Sequence, residues 1–262
     1  KMNFETITTE WLEHREVLLI TLNQPKANIL TTRMMGEMGV ALESNRDESM
    51  MRLVVLRGAG QHFSFGASIE EHRKEHASAM LTTFHQFIRE LAAYPVPLAA
   101  LVEGQCLGGA FEMVLCCHFV FAEEKAVFAC PEIKLGVFPP VLMAMGWQRL
   151  GHTIAERLIL TGEDFGAKEA YHAGFVTELF AGEQGALTIV LNWYREHLQG
   201  LSAFSLRQSV LASRKASGIL FALDEPLIAL ETHYVNHLLP SHDGNEGIEA
   251  FMARRKPVWR NC

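Results

Sequence analysis

The sequence lacks the features that mark several large classes of protein. It has no basic excess, because 23 lysines and arginines against 30 aspartates and glutamates give a net charge of −7. A nucleic-acid-binding surface is normally basic, so we expect no nucleic-acid partner. No signal peptide opens the chain, and the longest uncharged stretch, residues 135–148, is too short and too interrupted by proline to span a bilayer. We expect a cytoplasmic protein with no membrane partner.

The sequence also lacks a disulfide framework and several common catalytic motifs. Its five cysteines are an odd number without the spacing of a disulfide framework, and we expect the adjacent Cys116 and Cys117 to be small core residues. Cys130 has no histidine base nearby in sequence, which favours a core position for it too. There is no G-x-G-x-x-G, no phosphate-loop lysine and no G-x-S-x-G. Nucleotide binding and serine-hydrolase chemistry therefore have no support.

What the sequence does contain is an alternation of strand and helix patterns. With 49% hydrophobic and 20% charged residues, the 262-residue chain has ample material for a core. Thr31 or Thr32 is expected to cap a helix running to about Arg46, and a longer helix is expected from Ser68 to about Tyr94. Short β-rich apolar runs predict strands at 17–22, 53–57, 98–102, 119–122 and 126–129, the last two paired across the turn between them.

Beyond Pro139 and Pro140 the pattern is mostly helical to the end of the chain. Strands that alternate with helices indicate an α/β core. We therefore predict two regions, an α/β core over residues 2–199 and a helical C-terminal region over residues 200–262. No linker or low-complexity segment separates them.

Two glutamates stand out in the most apolar part of the sequence. Glu112 ends the segment 102–112, and Glu132 follows Pro131 twenty residues later. A buried carboxylate is unfavourable unless something uses it. Two carboxyls around one space can divide acid and base roles, because burial and mutual repulsion push their pKa values apart. We predict that this pair carries the chemistry.

Glycines next to the first glutamate provide a candidate anion site. Gly104, Gly108 and Gly109 lie where a predicted strand meets the helix that carries Glu112. Such glycines let a ligand approach the backbone, and the start of a helix presents unpaired N–H groups that can form an oxyanion hole. Taken alone, the glycines favour close packing of the helix on the strand over a ligand site.

A second turn, over residues 61–69, leads into the longer predicted helix. Ala67 could supply another backbone N–H to an oxyanion hole, and Ser68 could cap the helix. The two interpretations are compatible, because free N–H groups occur at a capped helix start.

Two further segments have both a functional and a structural interpretation. His72 and His76 match H-x-x-E-H, in which one helix face would bring both histidines to a metal. The polar residues all around them favour a solvated helix face, and we predict no metal site. The basic residues between Phe251 and Arg260 either solubilise a helix end or grip a phosphate.

Taken together and in order, these segments resemble the crotonase (enoyl-CoA hydratase/isomerase) superfamily over nearly the whole chain. Each motif is weak by itself, and their common register gives the resemblance its strength. The motifs are Gln-Pro-Lys-Ala-Asn at 24–28, Phe-Ser-Phe-Gly-Ala-Ser-Ile at 63–69, Glu-Gly-Gln-Cys-Leu-Gly-Gly-Ala-Phe-Glu-Met at 103–113, Pro-Glu-Ile-Lys-Leu-Gly at 131–136, Gln-Arg-Leu-Gly at 148–151, Leu-Thr-Gly at 160–162, Ala-Lys-Glu-Ala at 167–170, Ala-Gly-Phe-Val at 173–176, Glu-Gly at 246–247 and Phe-Met-Ala-Arg-Arg-Lys-Pro at 251–257.

The resemblance implies a crotonase-like spiral of ββα units with a helical C-terminal trimerisation region, in a homotrimer or a hexamer of two trimers. It also implies an acyl-CoA substrate and no separate cofactor, because coenzyme A is part of the substrate. By the same resemblance, the backbone N–H groups of Ala67 and Gly109 would hold the thioester oxygen, and Glu112 and Glu132 would be the two hydratase glutamates. Coenzyme A would lie against Lys26, Ala27, Ala67, Ser68, Ile69 and Lys256.

In such a site one glutamate, as a carboxylate, takes a proton from water, and the other, protonated, delivers a proton to carbon. The sequence does not assign the two roles, since the pair would titrate as a unit. Pro140 departs from the family pattern, in which a glycine N–H helps to hold the water. Proline has no N–H, so the water must be held differently. Phe138, Pro140 and Val141 make this segment bulky and apolar, and we predict that they line the acyl pocket.

The segments 25–30, 62–72, 117–122 and 135–139 are similar to one branch of the family, the cyclohexa-1,5-diene-1-carbonyl-CoA hydratases. This resemblance implies 1,4-addition of water across a ring diene, giving 6-hydroxycyclohex-1-ene-1-carbonyl-CoA in anaerobic benzoyl-CoA degradation. Two alternatives stay open. One is a conventional enoyl-CoA hydratase or isomerase with a straight-chain acyl group, and the other is a non-catalytic acyl-CoA-binding protein with the same fold.

Overall fold

The computed structural model describes residues 3–182 and 185–262, in which the strands form two sheets. In chain order the strands are β1 (Ile7–Leu12), β2 (Val17–Leu22), β3 (Leu53–Gly58), β4 (Leu98–Val102), β5 (Gln105–Leu107), β6 (Phe119–Glu123), β7 (Val127–Ala129), β8 (Phe165–Gly166) and β9 (Glu178–Phe180). The larger sheet has the order β1-β2-β3-β4-β6-β9, and the smaller has the order β5-β7-β8. In the larger sheet only the β1–β2 pair is antiparallel among the described residues.

Helices connect the strands and form the C-terminal part of the chain. They are α1 (Thr32–Ser44), α2 (Ala77–Ala92), α3 (Gly109–Leu115), α4 (Pro140–Leu150), α5 (His152–Thr161), α6 (Ala167–His172), α7 (Ala186–His197), α8 (Ala203–Ala216), α9 (Ile219–Ala222), α10 (Glu225–His233) and α11 (Asp243–Met252). Short 3-10 helices occur at Glu13–Arg15, Glu70–His72 and Pro131–Leu135, and a π-helix occurs at Tyr234–Leu238. This alternation of parallel strands and helices confirms the predicted α/β class.

Alternate residues of the central strands enter different cores on the two faces of the larger sheet. Val54 and Leu56 of β3 belong to the main core, whereas Leu53 and Val55 belong to a second core. This division follows because successive side chains of a strand point to opposite faces. The second core is completed by α7, which contributes Val190. Both faces of the parallel sheet are therefore covered, as such sheets require.

Most of the predicted elements in the first half of the chain are confirmed. The strands expected at 17–22, 53–57, 98–102 and 119–122 are β2, β3, β4 and β6. The first helix also begins where its cap predicts, because the Thr31 hydroxyl accepts a 3.2 Å hydrogen bond from the Met34 N–H. The helix ends at Ser44, close to the predicted end at Arg46.

The long helix predicted from Ser68 to Tyr94 is wrong in its first part. Only the 3-10 helix Glu70–His72 precedes α2, and Arg73 between them is extended with ψ of 147°. Ser68 does not cap a helix, because the cap position of the 3-10 helix is Ile69. The physical reason is that residues 70–76 are all polar, and a helix gains most of its stability by burying an apolar stripe.

The predicted pairing of the strands at 119–122 and 126–129 is also wrong. Here β6 pairs with β4 and β9 in the larger sheet, whereas β7 pairs with β5 and β8 in the smaller one. The intervening turn is therefore a crossing between two sheets and not a hairpin. An apolar run predicts a strand, but its partner is chosen by packing across the whole molecule.

From α8 onward every described element is a helix or a helical turn. The division of the chain at residues 199 and 200 stays a prediction. Within residues 3–182 and 185–262, none of the helices combines the length and the hydrophobicity of a membrane span. Cys116, Cys117 and Cys130 are buried free thiols, which confirms the core positions predicted for them.

Candidate active site

The pairing of β5 with β7 brings Glu112 and Glu132 to the same place. Leu107 of β5 lies beside Ala129 of β7, and the N–H of the next residue, Gly108, donates a 2.7 Å hydrogen bond to the Ala129 carbonyl. The helix α3 follows β5 and carries Glu112 in its first turn, and the 3-10 helix that follows β7 carries Glu132. A Cβ atom on Gly108 would lie 2.9 Å from Oε1 of Glu132.

The carboxylate of Glu112 is held by the first turn of α4. Glu112 is 3% exposed, and its Oε1 accepts a 2.9 Å hydrogen bond from the Leu142 N–H. The Val141 N–H also binds this carboxylate. Pro140 is the first residue of α4, a position at which an N–H would have no acceptor within the helix. The polarised start of α4 therefore directs its free N–H groups at Glu112.

The two glutamates differ in how readily they ionise. Burial raises the pKa of both carboxyls above the ordinary value of 4.5. The backbone hydrogen bonds of Glu112 oppose this rise, whereas the charge of Glu112 raises the pKa of Glu132 further. Glu132 is half-buried as a residue, but its Oε2 is fully buried and has no hydrogen-bond partner among the described residues. A proton shared by the pair therefore resides mainly on Glu132.

Two backbone segments meet at the N-terminus of α3. The Leu30 N–H donates a 2.9 Å hydrogen bond to the Gly66 carbonyl, and Leu30 forms a parallel bridge with Ala67. A Cβ atom on Gly66 would lie 3.2 Å from the nitrogen of Gly109, and one on Gly109 would lie 3.7 Å from Cβ of Ala67. The predicted oxyanion-hole residues Ala67 and Gly109 are therefore neighbours. Gly109 is the first residue of α3, so its N–H has no acceptor within the helix.

A cavity of about 810 Å³ lies against these segments. Of the predicted site residues it is lined by Ala27, Ala67, Ser68, Ile69, Gly109 and Glu132. It is not lined by Lys26, Lys256, Glu112, Phe138, Pro140 or Val141. The cavity is also lined by four residues that were not predicted from the sequence as site residues, Phe65, Leu107, Phe251 and Met252. The last two come from the end of α11, so the C-terminal helices form part of the cavity wall.

The model of the family described as Enoyl-CoA hydratase/isomerase matches residues 13–261 of the chain. The chain belongs to the enoyl-CoA hydratase/isomerase family. This match confirms the resemblance drawn from the sequence motifs and the predicted class of enzyme, an acyl-CoA hydratase.

Relatives in this family align with the chain over almost its whole length. Cyclohexa-1,5-dienecarbonyl-CoA hydratase of Thauera aromatica is 37% identical over 252 residues, which are 96% of each chain. The 2,3-dehydroadipyl-CoA hydratase of Escherichia coli (strain K12) is 33% identical over 256 residues, 94% of this chain and 96% of its own. The solved structure of an enoyl-CoA hydratase from Mycobacterium avium subsp. paratuberculosis K-10 has a TM-score of 0.85 at 27% identity, covering 99% of this chain and 100% of that chain. The crotonase-like fold is thereby confirmed.

The loop that carries Lys26 and Ala27 is fixed by a buried asparagine. Asn28 has φ of 45° and is 1% exposed. Lys26 is exposed beside the cavity-lining Ala27. The Asn28 amide donates hydrogen bonds of 2.9, 3.0 and 3.2 Å to the carbonyls of Ala59, His62 and Phe63. Since the two N–H groups of one side chain are shared among three carbonyls, the loop is tied to the turn that leads to Ala67.

The basic C-terminal tail folds back on α11. Arg255 donates a 2.8 Å hydrogen bond from Nη2 to Glu246 Oε2, and the Val258 N–H donates one of 2.7 Å to Glu246 Oε1. Asp243 accepts a 2.8 Å hydrogen bond from the Arg260 N–H. Lys256 is exposed and forms no ion pair within the described parts of the chain. Of the basic residues predicted to grip a phosphate, Arg255 is therefore already engaged and Lys256 is not.

His72 and His76 do not lie on a common helix, because the 3-10 helix ends at His72 and α2 begins after His76. The Nδ1 atom of His72 lies 2.8 Å from the Ser68 carbonyl, and its ring borders the cavity, where burial lowers its pKa. Among residues 3–182 and 185–262, no group of three or more His, Cys, Asp or Glu residues is arranged to hold a metal ion.

Two arginines, the half-buried Arg149 and the buried Arg214, hold the C-terminal end of the helix that carries Glu112. Arg149 donates a 2.7 Å hydrogen bond from Nη2 to the Cys117 carbonyl, and Nη2 of Arg214 binds the Cys116 carbonyl. Positive charge at the end of a helix satisfies its free carbonyls and complements its dipole. Sequence patterns missed both arginines, because they lie 32 and 98 residues from their partners.

Proposed function

We propose that the protein adds water to cyclohexa-1,5-diene-1-carbonyl-CoA and forms 6-hydroxycyclohex-1-ene-1-carbonyl-CoA. The observation that carries the proposal is the pair of carboxyls with raised pKa values, Glu112 and Glu132, next to the neighbouring backbones of Ala67 and Gly109. The choice of substrate is supported by the relative from Thauera aromatica that has this activity in its name and is 37% identical to the chain.

In the proposed reaction the N–H groups of Ala67 and Gly109 donate hydrogen bonds to the thioester oxygen. Negative charge builds on this oxygen when a nucleophile adds to the β-carbon. The two donors therefore stabilise the transition state more than the substrate, which is the condition for a faster reaction. The start of α3 contributes its positive end to the same place.

The different surroundings of the two glutamates support a division of their roles. The N–H groups of Leu142 and Val141 stabilise Glu112 as a carboxylate. We therefore assign Glu112 as the base that takes a proton from water. Glu132 has the more strongly raised pKa and holds the shared proton, so it is the acid that delivers a proton to carbon.

The atoms balance as a 1,4-addition. The water oxygen bonds to ring carbon 2, the β-carbon, while Glu112 accepts the departing proton. The electron pair of the double bond between carbons 1 and 2 moves through carbon 1 onto the thioester oxygen as a dienolate. Carbon 5 of this dienolate then takes the proton of Glu132, and a double bond remains between carbons 1 and 6. Renumbered, this is 6-hydroxycyclohex-1-ene-1-carbonyl-CoA.

The remaining predicted residues would bind the rest of the substrate. Phe138, Pro140 and Val141 are partly or fully buried near Glu112 and would bound the ring with apolar surface. Coenzyme A would extend along the cavity and the exposed surface beside it, and no separate cofactor is required. Its contacts would be with Lys26, Ala27, Ala67, Ser68, Ile69 and Lys256.

The proposal also covers the oligomeric state, the location and the pathway of the enzyme. The helical region 200–262 would assemble the chain into a homotrimer or a hexamer of two trimers. A cytoplasmic enzyme with this activity would act in the anaerobic degradation of benzoyl-CoA. Neither a nucleic acid nor a membrane would be a partner.

A second candidate is conventional hydration or isomerisation of a straight-chain enoyl-CoA. The relative from Escherichia coli, named for 2,3-dehydroadipyl-CoA, is 33% identical and favours this candidate. The same glutamates and N–H groups would serve, with protonation at the α-carbon. A non-catalytic acyl-CoA-binding role would instead leave the glutamates without effect on any turnover.

The deciding experiment compares cyclohexa-1,5-diene-1-carbonyl-CoA with crotonyl-CoA as substrates of the purified protein. The loss of the diene absorption and the mass of the product are followed at matched concentrations. A higher kcat/KM for the cyclic diene, with the gain of one water, would support the proposal. A higher kcat/KM for crotonyl-CoA would favour the straight-chain candidate, and no turnover of either would favour a binding protein.

A further inference from the structure

Tyr234 is a buried residue with an unused polar group next to the candidate active site. It is 1% exposed, and its hydroxyl has no hydrogen-bond partner among the described residues. The residue opens the π-helix Tyr234–Leu238, whose Leu239 N–H donates a 3.0 Å hydrogen bond to the Tyr234 carbonyl. Single π-helical turns occur frequently at functional sites. Buried phenols usually find a partner, so an unpaired one requires an explanation.

Contacts and charges place this hydroxyl near both glutamates. The ring of Tyr234 packs edge-on against Phe138, with 5.2 Å between the ring centroids. Phe138 lies between Glu132 and the start of α4, the helix that binds Glu112. Burial raises the pKa of the Tyr234 hydroxyl, and the charges of Glu132 and, to a smaller extent, Glu112 raise it further. The ring contact with Phe138 and these charge effects together place the phenol in the neighbourhood of the two carboxyls.

The unpaired hydroxyl has a counterpart in the same region. Oε2 of Glu132 is also buried without a hydrogen-bond partner within the described residues. The Tyr234 hydroxyl can donate a hydrogen bond. The Glu132 oxygen accepts one when the carboxyl is ionised and can donate one when it carries the proton. A water molecule between them would satisfy both. Water addition requires a water molecule in this region, within reach of the base Glu112.

The start of α4 has no donor left for this water. Pro140 lacks an N–H, and the N–H groups of Val141 and Leu142 are used by Glu112. A hydrogen bond to the water would therefore come from outside the start of α4, and a side chain can provide it. The hydroxyl of Tyr234 is a buried donor in this region that has no hydrogen-bond partner among the described residues.

We propose that Tyr234 positions the reacting water, with its hydroxyl donating a hydrogen bond to the water oxygen while Glu112 accepts the proton that leaves. Tyr234 keeps its own proton throughout, and no bond to it forms or breaks. The second lone pair of the water oxygen stays free to attack carbon. This inference rests on the roles proposed for Glu112 and Glu132, but not on the identity of the acyl group.

The test uses Tyr234→Phe, with Tyr94→Phe as a matched control. Tyr94 is another buried tyrosine, and its hydroxyl donates a 2.9 Å hydrogen bond to the Leu42 carbonyl in the core. The substrate is whichever of the two CoA esters the unaltered protein hydrates faster. For Tyr234→Phe we expect kcat to fall about ten- to hundredfold, the scale for a misplaced reactant. KM and Tm should change little, because no hydrogen bond within the protein is lost.

The control should behave in the opposite way. Tyr94→Phe loses a buried hydrogen bond and should lower Tm by about 2 to 4 °C, with kcat unchanged. The pH profile provides a further readout that a packing defect would not alter. Loss of a hydrogen-bond donor near the ionised Glu112 raises the apparent pKa of the pair, so the acid limb of kcat in Tyr234→Phe should move to higher pH.

An unchanged kcat and an unchanged pH profile in Tyr234→Phe would overturn the proposal. So would a fall in kcat that is matched by a fall in Tm, because this would indicate a structural role. A failure of the underlying hydratase mechanism would be recognised by a different result. In that case Glu112→Gln and Glu132→Gln would both hydrate the substrate at the rate of the unaltered protein.

Discussion

The Leu142 N–H donates a 2.9 Å hydrogen bond to Oε1 of Glu112, a residue 30 positions earlier in the chain. This bond connects the start of α4 to the first turn of α3. It favours the ionised form of a carboxyl that burial otherwise drives towards protonation. Glu132 lacks an equivalent bond at Oε2 and is repelled by Glu112. The structure therefore distinguishes two glutamates that the sequence presented as equals.

Replacing Glu112 by glutamine should remove the base and preserve the site. The amide oxygen of Glu112→Gln can still accept the Leu142 N–H, so we expect a normal Tm and retained binding of CoA esters. Turnover should fall by about two or more orders of magnitude, the usual scale for a general base. Steady-state kinetics and calorimetric titration with a CoA ester measure the two effects. Glu196→Gln, at an exposed position on α7, is the control. Turnover of Glu112→Gln equal to that of the control would disprove the assignment.

Replacing Glu132 by glutamine should change the dependence of stability on pH. The raised pKa of Glu132 means that the folded chain retains a proton which the unfolded chain loses above the ordinary value of 4.5. The stability of the unaltered protein should therefore fall as pH rises from 4.5 towards the raised pKa. The stability of Glu132→Gln should fall less steeply with rising pH, and at pH 8 this variant should be more stable than the unaltered protein. Denaturant unfolding at pH 4.5, 6 and 8 measures this, and parallel curves would contradict it.

Replacing Gly108 by alanine should displace Glu132. Gly108 has φ of 53°, and a Cβ atom there would lie 2.9 Å from Glu132 Oε1. Gly151→Ala is the matched control, because Gly151 has φ of 77° with no atom within 4 Å of a Cβ. Each variant should lose stability on the order of 1 kcal/mol from its backbone conformation. Only Gly108→Ala should also lose turnover, by about tenfold or more from misplacement of the acid. Equal turnover in the two variants would contradict the proposed contact.

Replacing Lys256 by alanine should weaken binding of the CoA ester more than it slows the chemistry. A contact with a distant phosphate acts equally on substrate and transition state, so KM should rise while kcat is kept. Lys215→Ala, at an exposed position on α8, is the control. Rates are measured over a range of substrate concentrations at low and moderate salt, because screening weakens exposed charges. A KM equal to that of the control would remove Lys256 from the binding site.

Local patterns predicted those parts of the fold in which each residue's environment follows from its neighbours in sequence. The apolar runs gave β2, β3 and β4, and Thr31 predicted the start of α1. The same reasoning failed for residues 68–76, where a polar segment forms a 3-10 helix beside the cavity. It also failed for β6 and β7, because an apolar run does not specify which strand it will pair with.

The site was predictable to the extent that its residues lie in recognisable motifs. Glu112, Glu132, Ala67 and Gly109 were named from the sequence, and the structure brings their segments together. Tyr234 lies in no such motif, and one tyrosine among the C-terminal helices attracts no attention in a sequence. Its unpaired hydroxyl becomes visible only when burial and hydrogen bonds are known.

The sequence by itself determined the alternation of strands and helices, the family and the two glutamates, because these depend on residue type and order along the chain. Only the tertiary structure decided which glutamate is held as a carboxylate and which retains the proton. That difference arises from Leu142 and Val141, whose N–H groups reach Glu112 only after α4 packs against α3. Burial and hydrogen bonding are properties of a site in space, and they set the pKa values on which acid and base roles depend.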